Sequence, residues 1–248
     1  MFPIGDTAVC RRFPLMVWLI IAANALAFLH ELKVPPVRVD ELLDLYGVVP
    51  ARFTHPRWAE AQGYPRDWLP LVTHMFLHGG WAHLIGNMWM LKIFGDSVED
   101  RMGPLRFLAF YLLCGGLALG THLLFERDSA LPVVGASGAI AGVMGAYYAL
   151  FPRAKVTVLV PVIVFPLLFD VPAVLFLGLW FLMQAWSGAL SISSRAFAGG
   201  VAWWAHVGGF VAGVLLAWLF VRRERWRRAD PGYLAPRTAW RGSSWGRG

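Results

Sequence analysis

Charge is what this chain has least of. Asp, Glu, Lys and Arg make up 15% of its 248 residues, against about 25% in ordinary soluble domains. With 58% hydrophobic residues and a mean hydropathy of +0.56, that scarcity excludes a soluble globule and leaves a membrane protein. Cysteine is scarce too. Cys10 and Cys114 lie far apart, the second inside an apolar run, which excludes a disulfide scaffold and implies no thiolate metal site. The chain also has no HExxH zinc-peptidase motif, no glycine fingerprint for a nucleotide and no fixed-period repeat. The net charge of +7 is local, since residues 222–248 carry eight Arg against Glu224 and Asp230, or +6 alone. Beside an apolar segment such charge fits cytoplasmic retention and anionic headgroups better than nucleic acid, and no nucleic-acid partner is expected.

What the chain does have is a series of apolar segments with short links. They predict an all-α polytopic membrane protein, a bundle of six transmembrane helices forming one domain over residues 14–221. The segments are Pro14 to Leu29, Trp81 to Phe94, Leu105 to Phe125, Ser137 to Phe151, Val156 to Trp186 and Val201 to Val221. The fifth is too long for one straight helix and is interrupted by Pro161, Pro166 and Pro172, so part of it is read as a loop or a kinked entry. Residues 1–13 form a short cytoplasmic N-terminus. Arg11 and Arg12 before the first segment, with no small-residue cleavage site after it, suggest a retained anchor. An even number of spans puts Arg11, Arg12, Arg153, Lys155 and the basic run from Arg222 together on the cytoplasmic side. Residues 31–73 form an external loop, rich in proline and aromatics and expected to be structured at the interface. Residues 222–248 read as a basic, disordered cytoplasmic tail. A bacterial cytoplasmic membrane is the expected location.

Polar groups at membrane depth are expensive, so they face a bundle interior or a wet cavity. In "HMFLHGGWAHLIGN", His83 and Asn87 are four apart and share a helix face, and His74 and His78 repeat the step just before. In "GASGAIAGVMG", Gly138, Gly142 and Gly145 recur behind Ser137, and in "AHVGGFVAG", Gly209 and Gly213 follow His206 at i+3 and i+7. Each has a packing explanation when taken singly, because small residues let helices approach and polar ones tie them together. Together they explain one another. Packing the small faces of the fourth and sixth segments brings Ser137 to His206, where an imidazole can take the hydroxyl proton and return it to a leaving amine. His83 and Asn87 can then supply N–H groups to the oxygen that becomes negative, with the Ser137 amide as a third donor. His74 and His78 would hold the loop or the rim of the water-bearing cavity.

With these motifs in hand, the sequence resembles the rhomboid family of intramembrane serine proteases. "HMFLHGGWAHLIGN", "GASG" and "AHVGG" stand in the family's order, and "GDSVEDRMG" (Gly95 to Gly103) is similar to its glutamate-bearing segment. The resemblance implies Ser137 as nucleophile and His206 as base without a third acidic partner. It implies His83 and Asn87 for oxyanion stabilisation, Gly135 and Gly138 in support beside His74 and His78, and Gly142, Gly145, Gly209 and Gly213 for helix packing. It also implies a transmembrane protein substrate cut within the bilayer, with no metal and no other cofactor; substrate and oligomeric state stay open. The chain departs from the family pattern twice. Trp68 is followed by Leu69 rather than Arg, with Arg66 two residues earlier, so the loop is anchored differently. Ala141 stands where many members place an aromatic ring four residues after the serine, so either His206 is held less tightly or Trp203 or Trp204 compensates. The alternatives are a rhomboid-like pseudoprotease that binds transmembrane clients, a metal or haem protein ligated by His74, His78, His83 and His206, and a transporter.

Overall fold

A computed structural model describes residues 2–162, 165–193 and 201–222. Among them, six helices have 14 or more residues: α1 (Leu15–Glu31), α6 (Trp81–Met102), α7 (Pro104–Phe125), α8 (Ser137–Leu150), α9 (Ala173–Ser193) and α10 (Trp203–Phe220). Four short helices fill the loop between the first two: α2 (Val39–Tyr46), α3 (Pro50–Thr54), α4 (Pro56–Ala61) and α5 (Pro70–Thr73). Length and apolarity suffice for a membrane span in α7, α9 and α10, and in α1 if it is joined to the following helical segment across a 112° bend. The tail from residue 223 onward lies outside the described residues.

The all-α expectation needs correction. A three-stranded antiparallel sheet, β1 (Phe2–Asp6), β2 (Lys155–Val162) and β3 (Phe165–Pro172), lies in the order β1-β2-β3. The part of the fifth segment read as a loop or kinked entry is the β2–β3 pair. Its register runs from Lys155 opposite Pro172 to Val162 opposite Phe165. Val156, Thr157, Val158 and Val160 are β-branched, and the prolines that forbid a long helix fit a short ladder. Pro172 closes β3, and α9 starts at the next residue.

The second segment is also longer than hydropathy suggests, because α6 continues eight residues past Phe94 to Met102. Its polar end is neutralised locally. Lys92 pairs with Asp96 one turn on. The Glu99 carboxylate accepts the backbone N–H groups of Met16 (3.1 Å) and Val17 (2.9 Å), satisfying amides that the start of α1 leaves without helical partners. The "GDSVEDRMG" stretch therefore fastens α6 to α1.

At the centre of the bundle is α8, where Ala139, Ala141, Val143, Met144, Ala146 and Tyr147 are almost fully buried. It can be central because it is nearly smooth. A Cβ on Gly209 would strike the Gly138 carbonyl, one on Gly213 the Gly142 carbonyl, and one on Gly145 the Phe210 carbonyl. The two backbones thus touch over about two turns. At the far end of α8 from Ser137, the Tyr147 hydroxyl donates to the Asp6 carboxylate and joins the sheet to the core. Asp6 is half-buried, and burial pushes its carboxyl up from 3.8 to about 6.

Two predictions follow from this packing. Gly213→Ala should lower unfolding stability in detergent by about 1–3 kcal/mol, the usual penalty of overpacking. Gly116→Ala on α7, where a Cβ meets nothing within 4 Å, should be neutral or stabilising by about 0.5–1 kcal/mol; equal losses in both would contradict the glycine seam. The second concerns pH. A carboxyl whose folded pKa lies above its unfolded one favours folding fully below pH 3.8 and loses that contribution as pH rises to about 6. The gain in unfolding temperature of Asp6→Asn over the parent should therefore grow between pH 4 and pH 7; a difference that stays flat refutes the burial argument.

Candidate functional site

Ser137 is the first residue of α8, and no side chain caps that first turn. Gly135, two residues earlier, has φ +115°, a conformation glycine adopts without strain. Its N–H donates to the His74 carbonyl (2.8 Å). A Cβ there would come within 2.7 Å of His83 Nε2 and 3.5 Å of Asn87 Nδ2. The absence of a side chain at Gly135 thus lets the backbone ahead of the serine lie against both groups.

The glycine seam sets the other half of the site. With Gly209 against the Gly138 carbonyl, the residue one turn earlier on α10, His206, faces Ser137, and its Nε2 lies 2.8 Å from Ser137 Oγ. On its other side His206 Nδ1 lies 2.8 Å from Gln184 Oε1, carried by α9. An amide oxygen only accepts, so Nδ1 carries the proton and donates it, leaving the Nε2 lone pair to the serine hydroxyl. Sequence reasoning passed over Gln184, although an amide in an apolar stretch was the available signal.

Rings hold the imidazole where Ala141 offers none. The Trp203 ring stands perpendicular to His206 at 6.3 Å, and Trp180 of α9 lies at 6.0 Å. Trp204, the other candidate, stacks on Phe125 at 3.9 Å instead.

The opening motif is only partly helical. His74 begins a 3₁₀ turn, and His78 lies in irregular chain ahead of α6, so the two do not share an α-helical face. Both are buried, at 5% and 2% exposed, and His74 lines the cavity described below. His74 Nδ1–H donates to the Pro70 carbonyl (2.9 Å). Asn87 Nδ2–H donates to His78 Nε2 (3.0 Å), and the His78 backbone N–H is received by the Glu31 carboxylate at the end of α1. One amide hydrogen of Asn87 is thereby engaged, and the His78 ring packs edge-on to His83 at 5.0 Å. Burial, with His83 nearby, pulls His78 down to about 4, so it stays a neutral acceptor at ordinary pH. The four histidines do not converge as a ligand set, because His74, His78 and His206 each engage different partners.

A cavity of about 300 Å³ is lined by Ser137, His206, His74, His83, Asn87, Trp203, His122 and Glu126, among others. His122, on α7, was not singled out from sequence. Among the described residues its Nδ1 has no hydrogen-bond partner.

The loop departs from the Trp-Arg pattern in a defined way. Arg52 on α3 donates to the carbonyls of Leu45 (3.0 Å) and Pro65 (2.8 Å) and pairs with Asp67 (3.1 Å), whereas Arg66 makes an exposed pair with Glu60. Val48 and Val133 exchange backbone hydrogen bonds, tying the loop to the chain that leads into Ser137.

Comparison with known proteins bears on the same region. A model of the Rhomboid domain matches residues 65–223. "Rhomboid protein 1, mitochondrial" of Saccharomyces cerevisiae is 32% identical over 190 residues, covering 71% of this chain and 50% of that protein. "RHOMBOID-like protein 5" of Arabidopsis thaliana is 28% identical over 173 residues, 67% of this chain and 48% of its own length. "Rhomboid protease GluP" of Bacillus subtilis is 42% identical over 95 residues, 38% of this chain and 18% of that one. The chain spans about half the length of the first two. Because relatives are mitochondrial and bacterial alike, kinship does not select the bacterial membrane expected above. The matched residues run from the loop ahead of α5 to the end of α10 and take in every group around the cavity, so this membrane protein belongs to the rhomboid family.

Proposed function

We propose that the chain is an intramembrane serine endopeptidase that cuts transmembrane segments of other proteins. The observation that carries this reading is the 2.8 Å hydrogen bond from Ser137 Oγ to His206 Nε2 in a cavity shared with His83 and Asn87. Ser137 Oγ attacks the scissile carbonyl while Nε2 takes its proton; the carbonyl π electrons move to oxygen. The free amide hydrogen of Asn87, a His83 ring N–H and the Ser137 backbone N–H stabilise that oxyanion. Collapse of the intermediate breaks the C–N bond, and His206 returns the proton to the leaving amine. Water then repeats the sequence on the acyl-enzyme.

The membrane arrangement we infer is six spans, α1, α6, α7, α8, α9 and α10. With 14 residues, α8 rises about 21 Å, short of the ~30 Å hydrocarbon layer. A short central helix leaves its first residue recessed below one face, where a cavity can admit water without opening the bundle to lipid. Arg11, Arg12, Arg153, Lys155 and Arg222 gather near the opposite end, since Arg11 N–H reaches the Asp100 carboxylate and Arg222 N–H the Arg101 carbonyl. That asymmetry supports placing both described termini on the cytoplasmic side.

The test needs no known substrate. Purified protein treated with a fluorophosphonate should carry the adduct on Ser137 by mass spectrometry. Ser137→Ala should abolish it, and His206→Ala should slow labelling about 10³-fold, within the range of general-base losses. Asn87→Ala should cost about 10²-fold as a lost oxyanion donor. Labelling that persists in Ser137→Ala, or that His206→Ala leaves at the parental rate, would exclude the assignment.

A further inference from the structure

We propose that Gln184 of α9 is a positioning residue for His206, fixing the tautomer that makes Nε2 a base; the proposal rests on the Ser137–His206 reading above. Gln184 is 7% exposed on a helix whose neighbouring Leu182, Met183 and Trp186 are 61%, 58% and 69% exposed. Its amide is thus the polar group that α9 turns inward at this level, and its oxygen meets His206 Nδ1 at 2.8 Å. Burying an amide without a partner costs free energy, so the bond to the imidazole is what makes this side chain tolerable there.

The chemical consequence follows from the donor inventory of the two groups. A neutral imidazole carries one N–H, on either nitrogen. If the proton sat on Nε2, the ring would face Ser137 as a donor and could take no proton from it. The Gln184 oxygen selects Nδ1–H, so the Nε2 lone pair faces the hydroxyl. When Oγ attacks, its proton passes to Nε2, and the resulting imidazolium still donates Nδ1–H to Gln184, whose carbonyl dipole stabilises the added charge. Trp180, one turn before Gln184 on the same helix, packs on the same ring. Thus α9 supplies both the acceptor and an aromatic wall, restraints that Ala141 on α8 does not provide.

Gln184→Met keeps the length and loses the acceptor, whereas Gln184→Glu keeps an acceptor oxygen. For fluorophosphonate inactivation, kinact should fall roughly 10²-fold in Gln184→Met with KI within two-fold, the loss expected when a base is present in the wrong tautomer. Gln184→Glu should recover to within about ten-fold of the parent. ¹⁵N imidazole spectra in a Ser137→Ala background should show His206 as the Nδ1–H tautomer, and predominantly as the Nε2–H tautomer once Gln184→Met is added. Parental kinact in Gln184→Met, or an unchanged tautomer, would overturn the proposal. If Gln184→Met fails to fold, Gln184→Asn, one methylene too short to reach Nδ1, is read in the same way. Should the parent itself not be labelled at Ser137, the serine reading fails, while the tautomer spectra still decide whether Gln184 sets the ring.

Discussion

The site depends on two backbones coming closer than side chains allow. At Gly145 on α8, and at Gly209 and Gly213 on α10, an added methyl would land on a carbonyl of the facing helix, while at Gly138 and Gly142 it would strike Ala118 and Cys114 of α7. In a bilayer lipid tails are as apolar as leucine, so helix association draws on close packing rather than on expulsion from water. The seam supplies that packing and fixes the register between the two helices. A hydrogen bond tolerates only a few tenths of an ångström of slack, and side chains interposed along the seam would have moved His206 beyond reach of Ser137. The seam positions of α8 are accordingly glycines, while Tyr147 turns toward Phe94 of α6 and Tyr148 packs on Phe210 beyond the seam.

A second restraint acts on the Asn87 side of the cavity and comes from outside the seam. Asn87 is oriented by His78, His78 is fixed through its backbone to Glu31 of α1, and Gly135 is hydrogen-bonded to His74. Three segments distant in sequence therefore converge on one amide group. Arg52 organises the intervening loop by gathering two carbonyls and a carboxylate, and the Val48–Val133 pair carries that order to the chain preceding Ser137. A loop with such connections acts as scaffold rather than as a cover.

How much of this was legible in the sequence depended on whether the signal was periodic. The glycine steps of i+3, i+4 and i+7 identify the packing faces, and with them the meeting of Ser137 and His206, because helix geometry alone converts spacing into direction. Helix α6 was read too short because hydropathy counts Asp96 and Glu99 as polar, whereas the fold pairs them with Lys92 one turn earlier and with the amides that open α1. The β2–β3 pair was hidden because an apolar run with prolines looks alike as a broken helix or a ladder; its pairing with β1 is a non-local fact. His78 was visible as a polar residue, but its role as acceptor for Asn87 depends on a turn between two elements. Gln184 stood alone on its helix face, with no partner nearby in sequence to give it meaning.

An amide rather than a carboxylate behind the histidine also follows from where the site is built. Soluble serine hydrolases place an ionised acid there, and in water-rich surroundings its charge costs little. Between apolar helices an ionised acid would carry a desolvation penalty of several kcal/mol before any catalytic benefit. A carboxamide offers the same acceptor oxygen with no net charge to bury, so it can select the tautomer at small cost to the fold. The charged residues of α6 obey the same economy: Lys92, Asp96, Glu99, Asp100 and Arg101 collect at its end remote from Ser137, and the cavity around the serine has one carboxyl in its lining, Glu126, among neutral donors and acceptors. On the proposed protease reading, full charge would then arise at the site only during reaction, on an oxygen faced by N–H groups.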